Sequence, residues 1–459
     1  MLAQPCCPRA SVLLLVAALS GVFLLTASRL HTTAPVTFSH LTEDWAVVLG
    51  KGQHHDRPAA VAEAQEPLGA VKPNKEGSKF CKGDLELLRR PDLGLTDNII
   101  YTRRCVRPVR GKVDRDVVAN ISSPLISSTT TLDLTADCSA IETPPCEPLL
   151  LRVPPAYPQK QYPHLLFGVA STYERIKDSL PVFAHWLAGT GAQLVAVISD
   201  ADTPTSNNNN LPDLASLETL YHNHGILATF IPPSFKSPLP RKGEDHSQHP
   251  PSGPAPVEQL HFLLIRDMLS HASPQTTWLG VLDDDTFFPS LYPLNTALSA
   301  YDPSAPHWLG ALADNFVSIS TWGYMAFGGA GVFLSLPLAE QLDPHLESCI
   351  TDTTVPSGDG MLRDCVYTHT TTKLTVVDGL YQHDFRGDPS GFFESGRHPL
   401  LSIHHWKSWY HAPVQLMSAV TKICGDCFLQ RWRFGGDTLL ANGYSICLLY
   451  TSPSPRDPR

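Results

Sequence analysis

Asp283, Asp284 and Asp285 follow directly on the apolar run Trp278–Leu282, and Thr286, Phe287 and Phe288 come straight after them. Adjacent carboxylates repel one another. A strand end that keeps three of them in a row therefore has a use for them. The chemistry that suits them is a hard divalent cation bridging to phosphate oxygens, and hence an enzyme that handles a nucleotide diphosphate. In such a site a terminal aspartate binds the metal, and a neighbour holds ribose or a metal-bound water. Manganese fits a donor set of carboxylates, phosphate and one imidazole.

Other segments carry residue types that do chemistry. Gly328, Gly329 and Gly331 lie within four residues, where the backbone can approach a ligand or adopt positive φ. Trp322, Tyr324 and Phe327 stand beside them and could stack on sugar rings, although aromatics in such places also fill cores. Asp359 in Ser357-Gly358-Asp359-Gly360 either caps the following helix or serves as a general base at its start. Cys349 and Cys365 bracket it and could staple the loop. The apolar run Leu400–Ile403 ends in His404-His405, and His383 precedes it. Each is a candidate imidazole ligand. Arg386-Gly387-Asp388 matches a cell-adhesion tripeptide, a coincidence too short to carry meaning.

These groups need a scaffold, and the chain alternates strand and helix patterns from His164 onward. Leu165–Ala170, Leu194–Ile198 and Ile226–Ile231 are apolar runs expected as strands buried on both faces. Helical spacing covers Tyr173–Ala188, Leu214–His224 and Val257–His271, with Pro181 expected to kink or delay the first. The pattern predicts an α/β fold, a Rossmann-like and mostly parallel sheet with flanking helices. Ligands of such sheets bind beyond the carboxyl ends of the strands, where the aspartate triplet sits. Residues 207–210 and the proline-rich stretch 232–256 read as inserted loops.

The 459 residues allow one large domain with appendages, and a formal charge of -10 argues against a nucleic-acid partner. The nineteen uncharged residues Ala10–Ser28 lie between Arg9 and Arg29 and would span roughly 28 Å as a helix. Residues 1–30 are read as a cytoplasmic tail and signal-anchor helix. A signal peptide cleaved near Thr26-Ala27-Ser28 is the alternative. Cys6 and Cys7 stand where palmitate attaches. The expected location is the Golgi or ER membrane, single-pass with the bulk lumenal, or the secreted space if the signal is removed. Residues 31–78 read as a flexible stem, 79–160 as a disulfide-containing subdomain and 161–430 as the catalytic domain. Cys81, Cys105, Cys138, Cys146, Cys349, Cys365, Cys424 and Cys427 form an even set that suits an oxidising compartment. Asn120-Ile121-Ser122 is a glycosylation sequon. Residues 447–459 look like translated adapter sequence and are set aside as a non-native tail.

Taken in order, the motifs resemble those of the Fringe-like β-glycosyltransferases of family 31. They are closest to a plant and fungal subgroup whose domain has no assigned function. The matching segments are Leu166–Thr172, Val197–Asp200, Leu282–Phe288, Phe327–Phe333 and Gly358–Cys365, with His383–Pro389 and Leu401–His405 typical of the subgroup. The resemblance covers about residues 160–410. It implies a GT-A fold, a UDP-sugar donor, a glycan or glycoprotein acceptor, manganese and inversion at the anomeric carbon. Carried over residue by residue, it implies that Asp283 and Asp285 bind metal and that Asp283 and Asp284 bind nucleotide. Asp359 is then the base, His404 or His383 the metal imidazole with His405 competing, and Thr172, Arg175 and Asp200 the uridine contacts. Trp322, Gly328 and Gly329 fall on the substrate side. One departure stands out: the family often pairs two acids at the base position, and here Gly358 precedes Asp359. An inactive lectin or chaperone on the same fold and a metal-dependent hydrolase are the competing readings.

Overall fold

The computed structural model describes residues 83–448 apart from 84, 138–139, 143, 205–210, 243–252, 386–388 and 397–399. The expected anchor and stem, Cys81, Cys138, the Arg386–Asp388 tripeptide and the tail beyond Leu448 lie outside the described residues. Among the described residues no helix is long and apolar enough to cross a membrane.

Two compact units emerge, the first holding residues up to Val106 together with Ile126–Leu149, the second Arg107–Leu125 together with Leu150 onward. Residues 107–125 and 150–160, expected in the small subdomain, thus cluster with the larger unit. Among the described residues five short strands come first: β1 (Asn98–Tyr101), β2 (Arg104–Arg110), β3 (Ala119–Ile121), β4 (Thr130–Asp133) and β5 (Glu147–Val153). In the first unit β1 pairs antiparallel with β4, and Leu85, Leu88, Leu132 and Leu134 form a small apolar cluster. A Cys105–Cys146 disulfide staples the same unit.

The second unit is built on a seven-stranded sheet. Its strands are β6 (Leu165–Ser171), β7 (Gln193–Ile198), β8 (Leu227–Ile231), β9 (Trp278–Leu282), β10 (Trp308–Gly310), β11 (Val332–Ser335) and β12 (Leu374–Val376). Their spatial order is β12-β10-β11-β9-β6-β7-β8, and only β11 runs against its neighbours. Every residue of β6 and of β9 is buried, as continuous apolar runs require when both faces of a sheet are covered. The alternation of side chains divides the core. Leu165, Phe167 and Val169 pack with α1 (Tyr173–Leu187) and α2 (Leu214–Asn223) on one face. Leu166 and Ala170 pack with α3 (Val257–Ser270) on the other. Gly168 completes that second face: a Cβ there would lie 2.5 Å from Met268 Sδ, so its absence lets α3 seat closely.

Helix α1 starts at Tyr173 and continues through Pro181, so the late start expected of that proline does not occur. The chain then winds outward from β6 to β7 and β8 and returns to place β9 on the other side of β6. The carboxyl ends of β6 and β9 therefore flank the point where strand order reverses, the usual crevice of an open α/β sheet.

Beyond β9 come α4 (Leu291–Leu298), α5 (Phe316–Trp322), α6 (Leu336–Leu342), α7 (Leu346–Asp352) and α8 (Gly358–His369). A smaller sheet follows, of β13 (Arg431–Phe434), β14 (Thr438–Ala441) and β15 (Ser445–Leu448), with β3 parallel to β13. Cys447 pairs in register with Leu439 as part of β15. Disulfides join Cys349 to Cys365 and Cys424 to Cys427.

Candidate active site

The triplet leaves the end of β9 and its members part at once. Asp284 turns into the sheet, where it accepts from Ser171 Oγ and from Arg175 through both Nε, at 2.6 Å, and Nη2. Its two oxygens are thus engaged by the end of β6 and the first turn of α1. This bidentate pairing raises the Arg175 pKa above its usual value. Asp200, at the end of β7, accepts from the Tyr173 backbone N–H at 2.8 Å and so caps α1. Thr172, the N-cap residue itself, makes no side-chain cap. Arg175, Asp200 and Thr172 therefore stand together at the carboxyl ends of β6 and β7.

Asp283 and Asp285 share one imidazole. His404 Nε2 lies 3.2 Å from Asp283 Oδ2 and 3.0 Å from Asp285 Oδ1, and His404 Nδ1 lies 2.9 Å from the Gln382 carbonyl oxygen. The imidazole reaches them through an isolated antiparallel bridge, in which Phe287 and Ile403 exchange two backbone hydrogen bonds of 2.8 Å. That bridge joins residues far apart in sequence and puts the one after Ile403 beside the triplet. Burial alone would push the Asp283 carboxyl up and the His404 ring down, and their mutual attraction reverses both. Asp283 is held far below the usual carboxylate range by His261 and His404, and His404 is raised to about 10 by Asp283 and Asp285. Asp285 is also lowered against its burial, by His404 and then by Ser408, whose hydroxyl donates to Oδ2 at 2.9 Å.

Asp283 and Asp285 each bring a carboxylate oxygen to His404 Nε2, and two carboxylates with one imidazole are a donor set that suits a divalent cation. Donor atoms held about 2.1 Å from one ion at right angles lie about 3 Å from one another, the spacing seen between the imidazole and the two carboxylates. Asp285, His404 and His405 also offer ligand atoms that all lie within 4.8 Å of one another. His383 is placed differently. Its Nδ1 accepts from the His404 backbone N–H at 3.1 Å, and its ring packs among Phe385, Phe392 and Phe393. Burial holds its pKa well below the usual value. The Nδ1 of His383 is thus engaged by the His404 backbone, and the His383 ring stands behind His404 and not against the carboxylates.

The glycine turn forms the wall opposite. A Cβ at Gly329 would lie 2.1 to 2.3 Å from three atoms of the His404 ring. One at Gly328 would lie 2.8 Å from the His261 ring and 3.0 Å from Asp359 Oδ1. Both glycines are thus explained by side chains that crowd onto their backbone. Thr286 Oγ1 donates to the Gly329 carbonyl at 3.0 Å and ties the turn to the triplet. Gly328 N–H donates to Asp359 Oδ1 at 2.9 Å. Asp359 is not the cap of α8, since Ser357 fills that role by accepting from Gly360 N–H. Burial pushes the Asp359 carboxyl up to about 6, with Asp283 adding to it and His261 opposing. That value suits a group that must accept a proton near neutral pH.

His261, on α3, has no counterpart among the residues singled out from sequence. Its Nε2 lies 3.2 Å from Asp283 Oδ1, and its ring occupies the space a side chain at Gly358 would need, 2.9 Å from the Cβ position. The missing acid before Asp359 thus has a structural complement. The available signal was a single histidine within the apolar spacing of α3. Lys407 was also not singled out; its Nζ lies 3.4 Å from the Arg175 carbonyl oxygen. Trp322 ends α5 with 37% of its surface exposed and lines a cleft with Phe327, Gln382, Asp384, His405 and Trp409.

Residues 319–420 match a family model described as a protein of unknown function, DUF604. That span includes Trp322, the glycine turn, Asp359 and His404, and leaves out the aspartate triplet. A 114-residue stretch is 35% identical to chondroitin sulfate synthase 2 of Mus musculus, covering 24% of this chain and 14% of that protein. The Homo sapiens protein of the same name is 34% identical over 114 residues. The chain therefore matches only about a seventh of the length of these relatives. Among solved structures, the galactosyltransferase LgtC with donor and acceptor sugar analogs is similar at a TM-score of 0.30 and 13% identity, covering 57% of this chain and 92% of that one. A mannosyltransferase from Pyrobaculum calidifontis, in complex with GDP-Man and Mn2+, is similar at a TM-score of 0.28 and 13% identity, covering 46% and 55%.

Proposed function

We propose that this protein is an inverting, metal-dependent glycosyltransferase. It moves a hexose or N-acetylhexosamine from a UDP-sugar to a glycan or glycoprotein acceptor. The observation that carries the reading is the convergence of Asp283, Asp285 and His404 at the reversal point of the sheet, with the Asp359 carboxyl pinned by Gly328 beside them. The likeness of a segment to chondroitin sulfate synthase 2 supports the same class.

Asp283, Asp285 and His404 would hold the cation, with manganese suited to the mixed carboxylate and imidazole donors. Once bound, it neutralises charge on the departing diphosphate. Arg175, Thr172 and Asp200 take the uridine side, and Trp322, Gly328 and Gly329 fall on the substrate side beyond it. Asp359 accepts the proton of an acceptor hydroxyl. The acceptor oxygen bonds to the anomeric carbon while the bond from that carbon to the diphosphate oxygen breaks. UDP leaves with the bonding electrons, and attack from the far face inverts the anomeric centre. The Cys349–Cys365 and Cys105–Cys146 disulfides support an oxidising compartment, in keeping with a Golgi or ER membrane enzyme or a secreted one.

The test is a panel of UDP-sugars and glycan acceptors offered to the full-length protein, with manganese or with chelator. Manganese-dependent transfer is expected from wild type. Asp359→Asn should bind UDP and transfer nothing. Release of free sugar at the same rate with and without acceptor would assign a hydrolase instead, and an absence of UDP binding would sink the reading.

A further inference from the structure

A cleft of about 750 Å³ is lined by His405, the residue next to His404 in the chain. Its lining joins Trp409, Trp322 and Phe327 to five polar residues, among them Gln382, Asp384 and His405. We propose that this cleft is the acceptor subsite and that it takes an uncharged hexopyranose laid on the open face of the Trp409 indole. The assignment rests on the transferase reading and names the substrate class of its acceptor.

Trp409 is backed on one face. The His405 ring stacks on it at 3.7 Å between centroids with only 7° between planes, while 38% of the residue stays exposed. His405 is itself held on both nitrogens, Nδ1 at 3.0 Å from Ser408 Oγ and Nε2 at 3.1 Å from Asp384 Oδ1. The Trp409 backbone N–H donates to the His405 carbonyl at 3.0 Å. A flat apolar platform fixed in this way loses little freedom when a ligand covers it. The C–H face of a pyranose supplies a matching apolar surface, and its hydroxyls need partners around the rim. Gln382 gives its Oε1 to the Ala330 N–H at 2.9 Å, which leaves its amide to donate to a hydroxyl. Asp384 can accept from one.

Position separates this sugar from the donor. Arg175 and Asp200, the nucleotide side, stand at the ends of β6 and β7, whereas Phe327 lines the cleft and its neighbour Gly328 holds Asp359. One wall of the cleft is thus a single residue away from the backbone N–H that holds Asp359, the proposed base. Charge narrows the class. Among the described lining residues there is no lysine or arginine, and the formal charge belongs to Asp384. A uronate or sulfated sugar meets the like charge of Asp384, with no lysine or arginine among the described lining residues to pair with it.

The test uses the full chain with manganese and UDP present. Methyl β-galactoside, methyl β-N-acetylglucosaminide and methyl β-glucuronide are titrated and followed by saturation-transfer NMR. At least one neutral glycoside should bind, with the glucuronide at least tenfold weaker. Trp409→Ala should weaken the neutral ligand tenfold or more, and Trp409→Phe should restore most of it. UDP affinity should hold in both variants. Trp322→Ala provides a second probe of the same cleft if Trp409→Ala fails to fold. Equal binding of the glucuronide, no binding of any neutral glycoside, or neutral binding untouched by the folded tryptophan variants would overturn the proposal. So would competition of the neutral glycoside with UDP-N-acetylglucosamine but not with UDP, which would make the cleft the donor-sugar pocket. Loss of UDP binding alone would sink the transferase reading and leave the glycoside result readable.

Discussion

Gly329 carries no side chain because the His404 ring fills the space one would need. Gly329→Ala should drive the imidazole off Asp283 and Asp285. The expected result is loss of manganese binding by calorimetry and a fall in turnover of about a hundredfold, in a protein whose circular dichroism is unchanged. Asp359 gives a second residue-level prediction. Its folded pKa of about 6 lies above the usual carboxylate value, chiefly through burial. The base form accumulates above that pH, so kcat/KM should fall about tenfold per unit as pH drops below it. Stability has the opposite sign. The folded state binds the extra proton between about 4 and 6, so the Asp359 contribution is present below that window and is lost as pH rises through it. Asp359→Asn, which stays neutral, should therefore unfold no earlier than wild type at pH 8 in chelator while losing transfer. An earlier melt would mark the residue as structural.

At the scale of elements, two connections set the site. The Phe287–Ile403 bridge delivers His404, and the left-handed backbone of His383 and His405, each at φ 58°, turns the chain sharply around it. Such conformations are uncommon outside glycine and persist only when neighbours hold them. The Cys349–Cys365 disulfide does the same for the proposed base, joining α7 to α8 across the segment that leads to Asp359. A cross-link spanning 16 residues contributes about 3 kcal/mol. Cys365→Ser should lower the denaturant midpoint accordingly and reduce kcat more than donor KM, since it loosens Asp359 and spares the triplet. An unchanged kcat would mean that α8 is positioned by packing alone.

At the largest scale, the sheet of the larger unit has a core on each face, and the candidate site lies beyond the carboxyl ends of its central strands, where loops from distant segments meet. A ligand that bridges those loops should stabilise the fold. Manganese with UDP at a hundred times its dissociation constant contributes about 2.7 kcal/mol, readable as a higher melting temperature that Asp285→Asn abolishes. A melt raised equally in that variant would place the cation elsewhere. Local signals were enough to read much of this architecture. The apolar runs of β6, β7 and β9, the helical spacing of α1 to α3 and the triplet at a strand end are periodicities within a few residues, set by which faces must be buried. Pro181 did not delay the start of α1, because packing of that helix against the sheet outweighs one missing hydrogen bond. What no local pattern carried was the choice among His383, His404 and His405, the entry of His261 from α3, and the separation of Asp284 from its two neighbours. Each depends on side chains that meet only after the chain has folded, across 116 positions in the case of Phe287 and Ile403. The amino-acid order thus determined the layers and the acidic strand end, and the tertiary structure alone decided which imidazole faces the carboxylates, because proximity across such distances is a property of packing and not of spacing.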